Sequence, residues 1–526
     1  MVAAMSPITI PRMAFKPHPS STTPRKLHSS SSSPNTSPSS SSSCFCNTII
    51  IPATLLFALL LLFSSSSSTI PLNLSASLSC TTTISRATNP PAARNWTGDL
   101  RDARFAWNSL CFGPPKAKLR LAAFSKKWPV GAVPGGMERH ALGLYTALAR
   151  AGHTVHVFTA SPDASGRLIH RVSDGGLHVH FASRDGGSLD DAAAWKLFVE
   201  ENASLPFDFV HTESVTLHHS RARAVPNLAA TWHGIAYEAL HSDLFQDLLR
   251  EPGLRRPAQS EARLREIIPK LLGEIRFFAS YQHHIGISDS VGQVLTDIYQ
   301  LPPENVHVIL NGVDHESFYH DPKIGARFRA EFGVPLNASL VMGVAGRLVR
   351  DKGHPLLFEA FSAIRKRHPD VYLLVAGSGP WEERYRELEP NVKVLGPLKP
   401  SRLAEFYNAL DVFVNPTLRP QGLDLTLMEA MHCGKPLLAS NFPSITGSVV
   451  LNEGFGYTFA PNVKSLTEAM ESAIRDGRAE LAGKGMTCKE YALSMFTARK
   501  MASAYERFFL CMKDVKYCRY PLPTDC

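Results

Sequence analysis

The residues best suited to chemistry fall in four short stretches. In "GRLVRDKG" (346–353), Arg347 and Lys352 bracket a loop that follows a strand pattern beginning near 339 and ends where Pro355 opens a helix. Two cations on such a loop suit the capture of phosphate through charge-assisted hydrogen bonds, although ordinary surface charge gives the same pattern. In "RPQGLDLTLMEAMHCGKPLLAS" (419–440), Leu425, Leu427, Met428, Ala430 and Met431 make a helix that is apolar nearly all round, and Gly434 and Pro436 end it. The first backbone N–H groups of that helix, at Leu425 and Thr426, form an anion site. Glu429 lies one turn in. A buried carboxylate needs a partner, either the vicinal hydroxyls of a ribose or an internal Lys or Arg. In "PGGMERH" (134–140), Gly135 and Gly136 open a helix and let a ligand approach the backbone amides. "TWHG" (231–234) puts His233 at a strand end, in a chain with 21 histidines, most of which such counts assign to structure.

Several chemistries are excluded. "GSGPWE" (377–382) offers Gly377 and Gly379, but Glu382 stands where a dinucleotide fingerprint needs a third small residue. There is no phosphate-binding G-x-x-x-x-G-K-[ST] and no G-x-S-x-G elbow. No Asp-x-Asp pair is present to hold a divalent metal on a diphosphate, and no Cys-x-x-Cys suggests zinc. A diphosphate bound here must therefore be neutralised by side chains and helix ends, with neither metal nor tightly held cofactor.

The elements that position these loops alternate. β-rich runs at 119–125, 153–160, 177–183, 207–213, 227–233, 283–288 and 306–312 are interleaved with helical patterns, the first of them at 135–152. Arg255, Arg256, Arg263 and Arg265 lie in a long helical region, 236–282, and read as a solvated face. The pattern breaks at 313–338 and restarts with strands at 339–347, 371–379, 392–396, 411–417 and 435–440. Strands alternating with helices imply parallel sheets covered on both faces, and two series imply two doubly wound domains, 118–312 and 339–484, with ligands at the strands' carboxyl ends.

Charge separates this globular part from what precedes it. The 526-residue chain carries a net +9, but residues 1–98 hold six Lys/Arg and no acid, which leaves 49 basic against 46 acidic residues beyond. A nucleic-acid partner is thereby disfavoured, and the basic excess speaks to targeting. Residues 1–47 read as a disordered tail, 48–63 ("TIIIPATLLFALLLLF") as a signal-anchor or signal-peptide core, and 64–117 as a Ser-rich stem. The positive charges precede the apolar run, so the expected arrangement is a single-pass Golgi or ER membrane protein with a lumenal globular part; a chloroplast transit peptide is the alternative. The cysteines crowding the C-terminus (Cys488, Cys511, Cys518, Cys526), with Cys80 and Cys111, suit disulfides.

"PGGMERHALGLYTALARAGHTVHVFT", "VILNGVD", "VAGRLVRDKG" and "DVFVNPTLRPQGLDLTLMEAMHCGKPLLAS", in this order over roughly 118–510, resemble the retaining glycosyltransferases of family 4, which have the GT-B fold. The resemblance implies two Rossmann-like domains facing each other across a cleft, with 485–526 crossing back to the first. It implies a metal-independent transfer from a nucleotide-diphosphate sugar, UDP-sugar being the commonest, to an unknown acceptor. Arg347 and Lys352 would hold the diphosphate, with Gly346 and Gly377 beside them. Leu425 and Thr426 would cap the distal phosphate and Glu429 would bind the ribose. Gly135 and Gly136 would lie near the phosphates, and His233 near the transferred sugar. One departure stands out. Where the family has a second Glu followed by Phe-Gly, this chain has Gln421, then Leu423 and Asp424 in place of Phe-Gly. Gln421 hydrogen-bonds but brings no charge; Asp424 is a candidate to supply it. A nucleotide-sugar-binding pseudoenzyme and a GT-B epimerase remain the alternatives.

Overall fold

The strands form two parallel sheets, one in each half of the chain. The computed structural model describes residues 96–129, 135–161, 171–249 and 258–526. The expected tail, the anchor 48–63 and the first part of the stem lie outside the described residues.

The strands are β1 (Gly98–Asp99), β2 (Arg120–Lys127), β3 (Thr154–Ala160), β4 (Arg171–Asp174), β5 (Leu177–Phe181), β6 (Phe209–Glu213), β7 (Leu228–Trp232), β8 (His283–Gly286) and β9 (Val306–Val308) in the N-terminal half. Among the described residues they build an eight-stranded sheet ordered β4-β5-β3-β2-β6-β7-β8-β9, with β1 apart. Every pair is parallel except β4–β5 at the edge. In the C-terminal half, β10 (Leu340–Ala345), β11 (Val371–Ala376), β12 (Val392–Gly396), β13 (Val412–Asn415), β14 (Leu437–Ser440) and β15 (Gly456–Phe459) form a six-stranded parallel sheet ordered β12-β11-β10-β13-β14-β15. The central strands β7 and β13 are buried throughout, as parallel strands covered by helices on both faces must be. Two such sheets in one chain define the GT-B architecture.

The helices that matter for the site are α1 (Gly136–Arg150), α2 (Asp191–Ser204), α3 (Ala236–Leu248), α4 (Ala258–Phe278), α5 (His354–Arg367), α6 (Leu425–His432), α7 (Val463–Met495) and α8 (Ala498–Lys513). Helix α6 is enclosed as its composition demands: Leu427, Met428, Ala430 and Met431 are fully buried. Helix α8 leaves the C-terminal half and lays Met501, Tyr505, Phe508 and Phe509 into the N-terminal core beside Leu144 and Val157. Their i, i+4, i+7, i+8 spacing makes one apolar stripe, each large side chain contributing roughly 1.5–3 kcal/mol on burial.

Two expectations are corrected here. The stem was extended to 117, yet residues from Trp96 onward are packed. Leu100, Trp107, Leu110 and Phe112 sit in the same core as α8. Asn108 fastens the segment by exchanging hydrogen bonds with the backbone of Leu310 at 3.2 Å each way. Apolar and aromatic residues every few positions override the polar composition before them. β1 then pairs with β16 (Arg519–Tyr520), and Cys111 is joined to Cys526 and Cys511 to Cys518. The expected placement in a Golgi or ER membrane draws no support from the described elements. Among the described residues no helix is long and apolar enough to cross a membrane.

Candidate active site

The carboxyl ends of both sheets face one another, and the residues singled out above line the cleft between them. Helix α6 follows the loop that leaves β13 at Asn415, with Asp424 at its N-cap. Lys352 donates to Asp424 Oδ1 at 2.5 Å and Asn415 to Oδ2 at 3.2 Å. Burial pushes the Asp424 carboxyl up, but Lys352 and Arg419 outweigh it and hold it at about 2. The helix tip carrying Leu425 and Thr426 is thus fronted by a cation. Gly353, at φ +77, lets the Arg347–Lys352 loop turn into α5, and its Cα stands so close to Pro416 that a Cβ would lie 1.6 Å from the Pro416 carbonyl oxygen. Gly377 is equally constrained: a Cβ there would lie 1.8 Å from the carbonyl oxygen of Gly346. Arg347 is exposed at the rim and makes no hydrogen bond or ion pair through its side chain among the described residues.

Glu429 is 2% exposed and has both oxygens engaged. Oε1 is ion-paired with Arg139, which reaches over from α1, and Oε2 accepts from Tyr407 OH at 2.7 Å. Of the two partners the sequence allowed, this structure shows the internal cation. Gly135 caps α1 and Gly136 is its first residue, so the glycines and Arg139 face α6 from the opposite wall.

Helix α3 forms more of that wall. Glu238 pairs with Arg419, His241 Nδ1 meets Gln421 Nε2 at 2.9 Å, and the Phe245 ring lies 5.1 Å from that of Phe442. The spacing i, i+3, i+7 puts all three contacts on one helix face. Ser288 Oγ donates to the Gln421 carbonyl at 2.7 Å and Asn311 Nδ2 to that of Leu423 at 3.3 Å. Gln421, expected to face a sugar, is 6% exposed and has no partner for Oε1.

His233 follows β7 and is tied to Glu213, at the end of β6, by a 2.5 Å contact from Nε2 to Oε2. Tyr145 OH donates to Glu213 Oε1 at 2.7 Å, and His140 Nε2 is 3.8 Å away. Burial raises the Glu213 carboxyl, but His140 and His233 more than offset this and bring it to about 2. His140, burial dominating, falls to about 3. Glu213 therefore works as a fixed anion that orients His233.

Among the described residues two His–Glu groups have donor atoms close enough for a metal ion: His140, Glu213 and His233, and His156, His180 and Glu201. In the first, both carboxylate oxygens already accept from Tyr145 and His233. In the second, Arg120 stands 3.5 Å from the Glu201 carboxylate, where a dication would be repelled. Two surface hollows, one lined by Ala222–Pro226 and Ala279–Gln282 and the other by His320, Asp411 and Lys435, contain none of the cleft residues and carry no chemistry of this kind.

The structure thus gathers Lys352, Gln421, Leu425, Thr426, Glu429, Gly135, Gly136 and His233 along one cleft, with Gly346 and Gly377 behind the cation loop. Sequence reasoning missed the partners: Arg139, Glu213, Glu238, Tyr407 and Arg419. Arg139, Glu213 and Arg419 lay within stretches already picked out, Arg139 in the first turn of a helix, Glu213 at the end of a strand and Arg419 on the loop before α6. Arg263 and Arg265 pair with Asp243 and Glu261, as solvated charges do.

Comparison with known proteins agrees with this architecture. The family described as Glycosyltransferase Family 4 matches residues 134–317, and that described as Glycosyl transferases group 1 matches 330–492. A D-inositol 3-phosphate glycosyltransferase of Kineococcus radiotolerans is 26% identical over 348 residues, covering 61% of this chain and 76% of the relative. A glycogen synthase of Mycobacterium tuberculosis is 26% identical over 420 residues, covering 75% and 95%. Among solved structures, sucrose-phosphate synthase from Thermosynechococcus elongatus superposes with a TM-score of 0.56 at 20% identity, covering 75% of this chain and 100% of the other. Anabaena HepE in complex with UDP and glucose gives 0.53 at 18%, covering 74% and 99%. The fold and these matches define the class: the chain is a glycosyltransferase enzyme of the GT-B type. Its N-terminal half is similar to family 4 and its C-terminal half to group 1. Both relatives are bacterial, so the likeness brings no Golgi or ER with it.

Proposed function

We propose that the enzyme moves a sugar from a nucleotide-diphosphate sugar, with UDP-sugar as the first candidate, to an acceptor hydroxyl, with retention at the anomeric carbon and without a metal ion or other cofactor. The observation that carries this reading is the pairing of Lys352 with the N-cap of α6, opposite Gly135, Gly136 and Arg139 on α1. A cation and a helix N-terminus at one point suit a diphosphate. The carboxylate of Glu429, one turn along, suits a ribose, whose vicinal hydroxyls would take the oxygen now held by Arg139.

In this reading Arg347, Lys352 and the amides of Leu425 and Thr426 stabilise the charge that develops on the distal phosphate as its oxygen leaves the anomeric carbon. The acceptor oxygen bonds to that carbon from the same face, and its proton passes to the departing phosphate oxygen. His233, held by Glu213, lines the sugar's side of the cleft. Closing the two domains on each other excludes water. The bacterial HepE structure with UDP and glucose supports a nucleotide-sugar donor; the acceptor is left open.

The test is donor turnover. Radiolabelled UDP-, GDP- and ADP-sugars should release free sugar, EDTA should leave the rate unchanged, and Lys352→Ala should lower kcat/KM by about 100-fold or more, about 2.7 kcal/mol or more of transition-state stabilisation. Saturable binding without turnover would instead favour the pseudoenzyme, which the uncharged Gln421 makes worth testing. An epimerised nucleotide sugar would identify an epimerase, and an inverted product would overturn retention.

A further inference from the structure

The oxygens of the cleft carboxylates Glu213, Asp424, Glu429 and Glu238 are not equally engaged. Glu213 accepts from Tyr145 and His233. Asp424 accepts from Lys352 and Asn415, so it is committed to the cation loop. Glu429 accepts from Arg139 and Tyr407. Glu238 differs. It is 1% exposed, its Oε2 is held by Arg419, and its Oε1 has no hydrogen-bond partner. Leaving a buried carboxylate oxygen unpaired is unfavourable, because the hydration it lost is not replaced. Such an atom in a cleft points to a donor that arrives with a ligand.

The surroundings of that oxygen define the ligand group. A Cβ on Gly422 would lie 2.5 Å from Glu238 Oε1, while the nearest other atoms beyond its chain neighbours are Arg419 Cβ at 3.6 Å and Glu238 Cδ at 3.7 Å. Glu238 Oε1 therefore packs directly against the Cα of Gly422, and any side chain at 422 would displace it. Next to it in the chain is Gln421, whose Oε1 is likewise buried without a partner. Gly234, adjacent to His233, lies against the same ion pair, with its Cβ position 3.2 Å from Arg419 Nη2 and 3.5 Å from Glu238 Oε2. Two orphaned acceptors beside the loop that leads to the phosphate-binding helix tip, and next to His233, complement a group rich in hydroxyl donors.

Building on the donor reading above, we infer that Glu238, on the N-terminal domain, is a specificity-determining residue of the donor sugar subsite: its Oε1, together with Gln421 Oε1, accepts hydrogen bonds from hydroxyls of the transferred sugar. The subsite is then assembled from both domains. Arg419 holds the carboxylate in place, and Gly422, having no side chain, lets it lie there. A sugar lacking a hydroxyl at that point, or presenting it on the other ring face, leaves the two acceptors unpaired and is rejected.

Full-length wild type, Glu238→Gln and Gly422→Ala are compared for calorimetric binding of UDP, GDP and ADP and for hydrolysis of UDP-glucose, UDP-galactose, GDP-mannose and ADP-glucose. Glu238→Gln removes the charge. Gly422→Ala leaves both charges in place but pushes a Cβ against Oε1, and the Tm of each variant, measured alongside, separates a subsite effect from a loss of folding. The expected result is that each variant binds the preferred nucleoside diphosphate within two-fold of wild type, loses at least ten-fold in kcat/KM for the preferred sugar nucleotide, and changes the rank order of the four sugars. Unchanged kcat/KM and rank order in both variants, with wild-type turnover intact, would overturn the role of Glu238 alone. Failure of wild type to bind any of the three nucleotides or four sugar nucleotides would overturn the donor reading and this inference with it.

Discussion

Arg139, in the first turn of α1, reaches across the cleft to Glu429 on α6, joining residues 290 positions apart in the chain. The pair meets the burial cost of Glu429 and ties the two Rossmann-like domains together at the place where a nucleotide is proposed to bind. Arg139 is about a fifth exposed while Glu429 is buried, so the burden of desolvation falls on the carboxylate.

Removing the cation alone should therefore be costly. Arg139→Met leaves Glu429 with Tyr407 only and should lower unfolding free energy by about 3 kcal/mol, the lower end of the range for breaking a buried pair. The double variant Arg139→Met, Glu429→Gln should recover most of that loss in urea denaturation. If the ribose competes with Arg139 for Glu429, UDP should raise the Tm of Arg139→Met by more than it raises that of wild type.

The cation loop depends on one glycine. Gly353→Ala would force a Cβ to within 1.6 Å of the Pro416 carbonyl oxygen at a positive φ. Loop and strand end must separate, and Lys352 is carried away from Asp424. A loss of about 2 kcal/mol or more in stability is expected, together with weaker nucleotide binding by calorimetry. Wild-type affinity in this variant would show that the position of Lys352 does not matter.

Acid should destabilise the protein in two stages. His140, His284 and His354 are buried, and burial lowers them to about 3, 3 and 4 respectively. Between those values and the ordinary value near 6.5 the unfolded chain binds protons that the folded chain refuses, so stability falls as pH drops below about 6.5. Asp424 and Glu213, both near 2 in the folded protein, add a second loss as pH falls from about 5 toward 2. Urea midpoints should therefore decrease steadily from pH 7.5 to 5 and more steeply below; a flat profile from 7.5 to 5 would contradict the histidine assignment.

The two disulfides should contribute unequally. Cys111–Cys526 closes a loop of 415 residues and Cys511–Cys518 one of seven. In the chain-entropy view the long loop stabilises by roughly twice as much as the short one. Cys111→Ser with Cys526→Ser should therefore lower the denaturation midpoint more than Cys511→Ser with Cys518→Ser. The buried Arg507–Asp525 pair, at 2.8 Å, should still hold the C-terminal tail.

The fold was readable because its signals are local. The strand patterns at 119–125, 153–160 and 371–379 correspond to β2, β3 and β11 within a few residues, since a short, mostly apolar run between helical patterns and turn residues reads as a buried parallel strand. What escaped was the edge strand β4, the short β15 and the packed segment after Trp96, all of which depend on neighbours contributed by other parts of the chain. The site divides in the same way. Glu429, Lys352 and the glycines stood out by type and position, but their partners did not. Lys352 was assigned to a phosphate together with Arg347; it is paired with Asp424, while Arg347 lies open at the rim.

The sequence by itself determined that the chain makes two doubly wound domains, that α6 is buried with a carboxylate inside it, and that cations and helix ends stand at strand termini, because periods of two and 3.6 residues and the preferences of Gly and Pro are written within a few positions. Only the tertiary structure decided which charges meet. Whether Glu429 finds Arg139 or Glu238 finds Arg419, over separations of 290 and 181 residues, depends on how two sheets and a returning helix come to rest against each other. The energy of an ion pair is set by distance and burial in space, and spacing along the chain encodes neither.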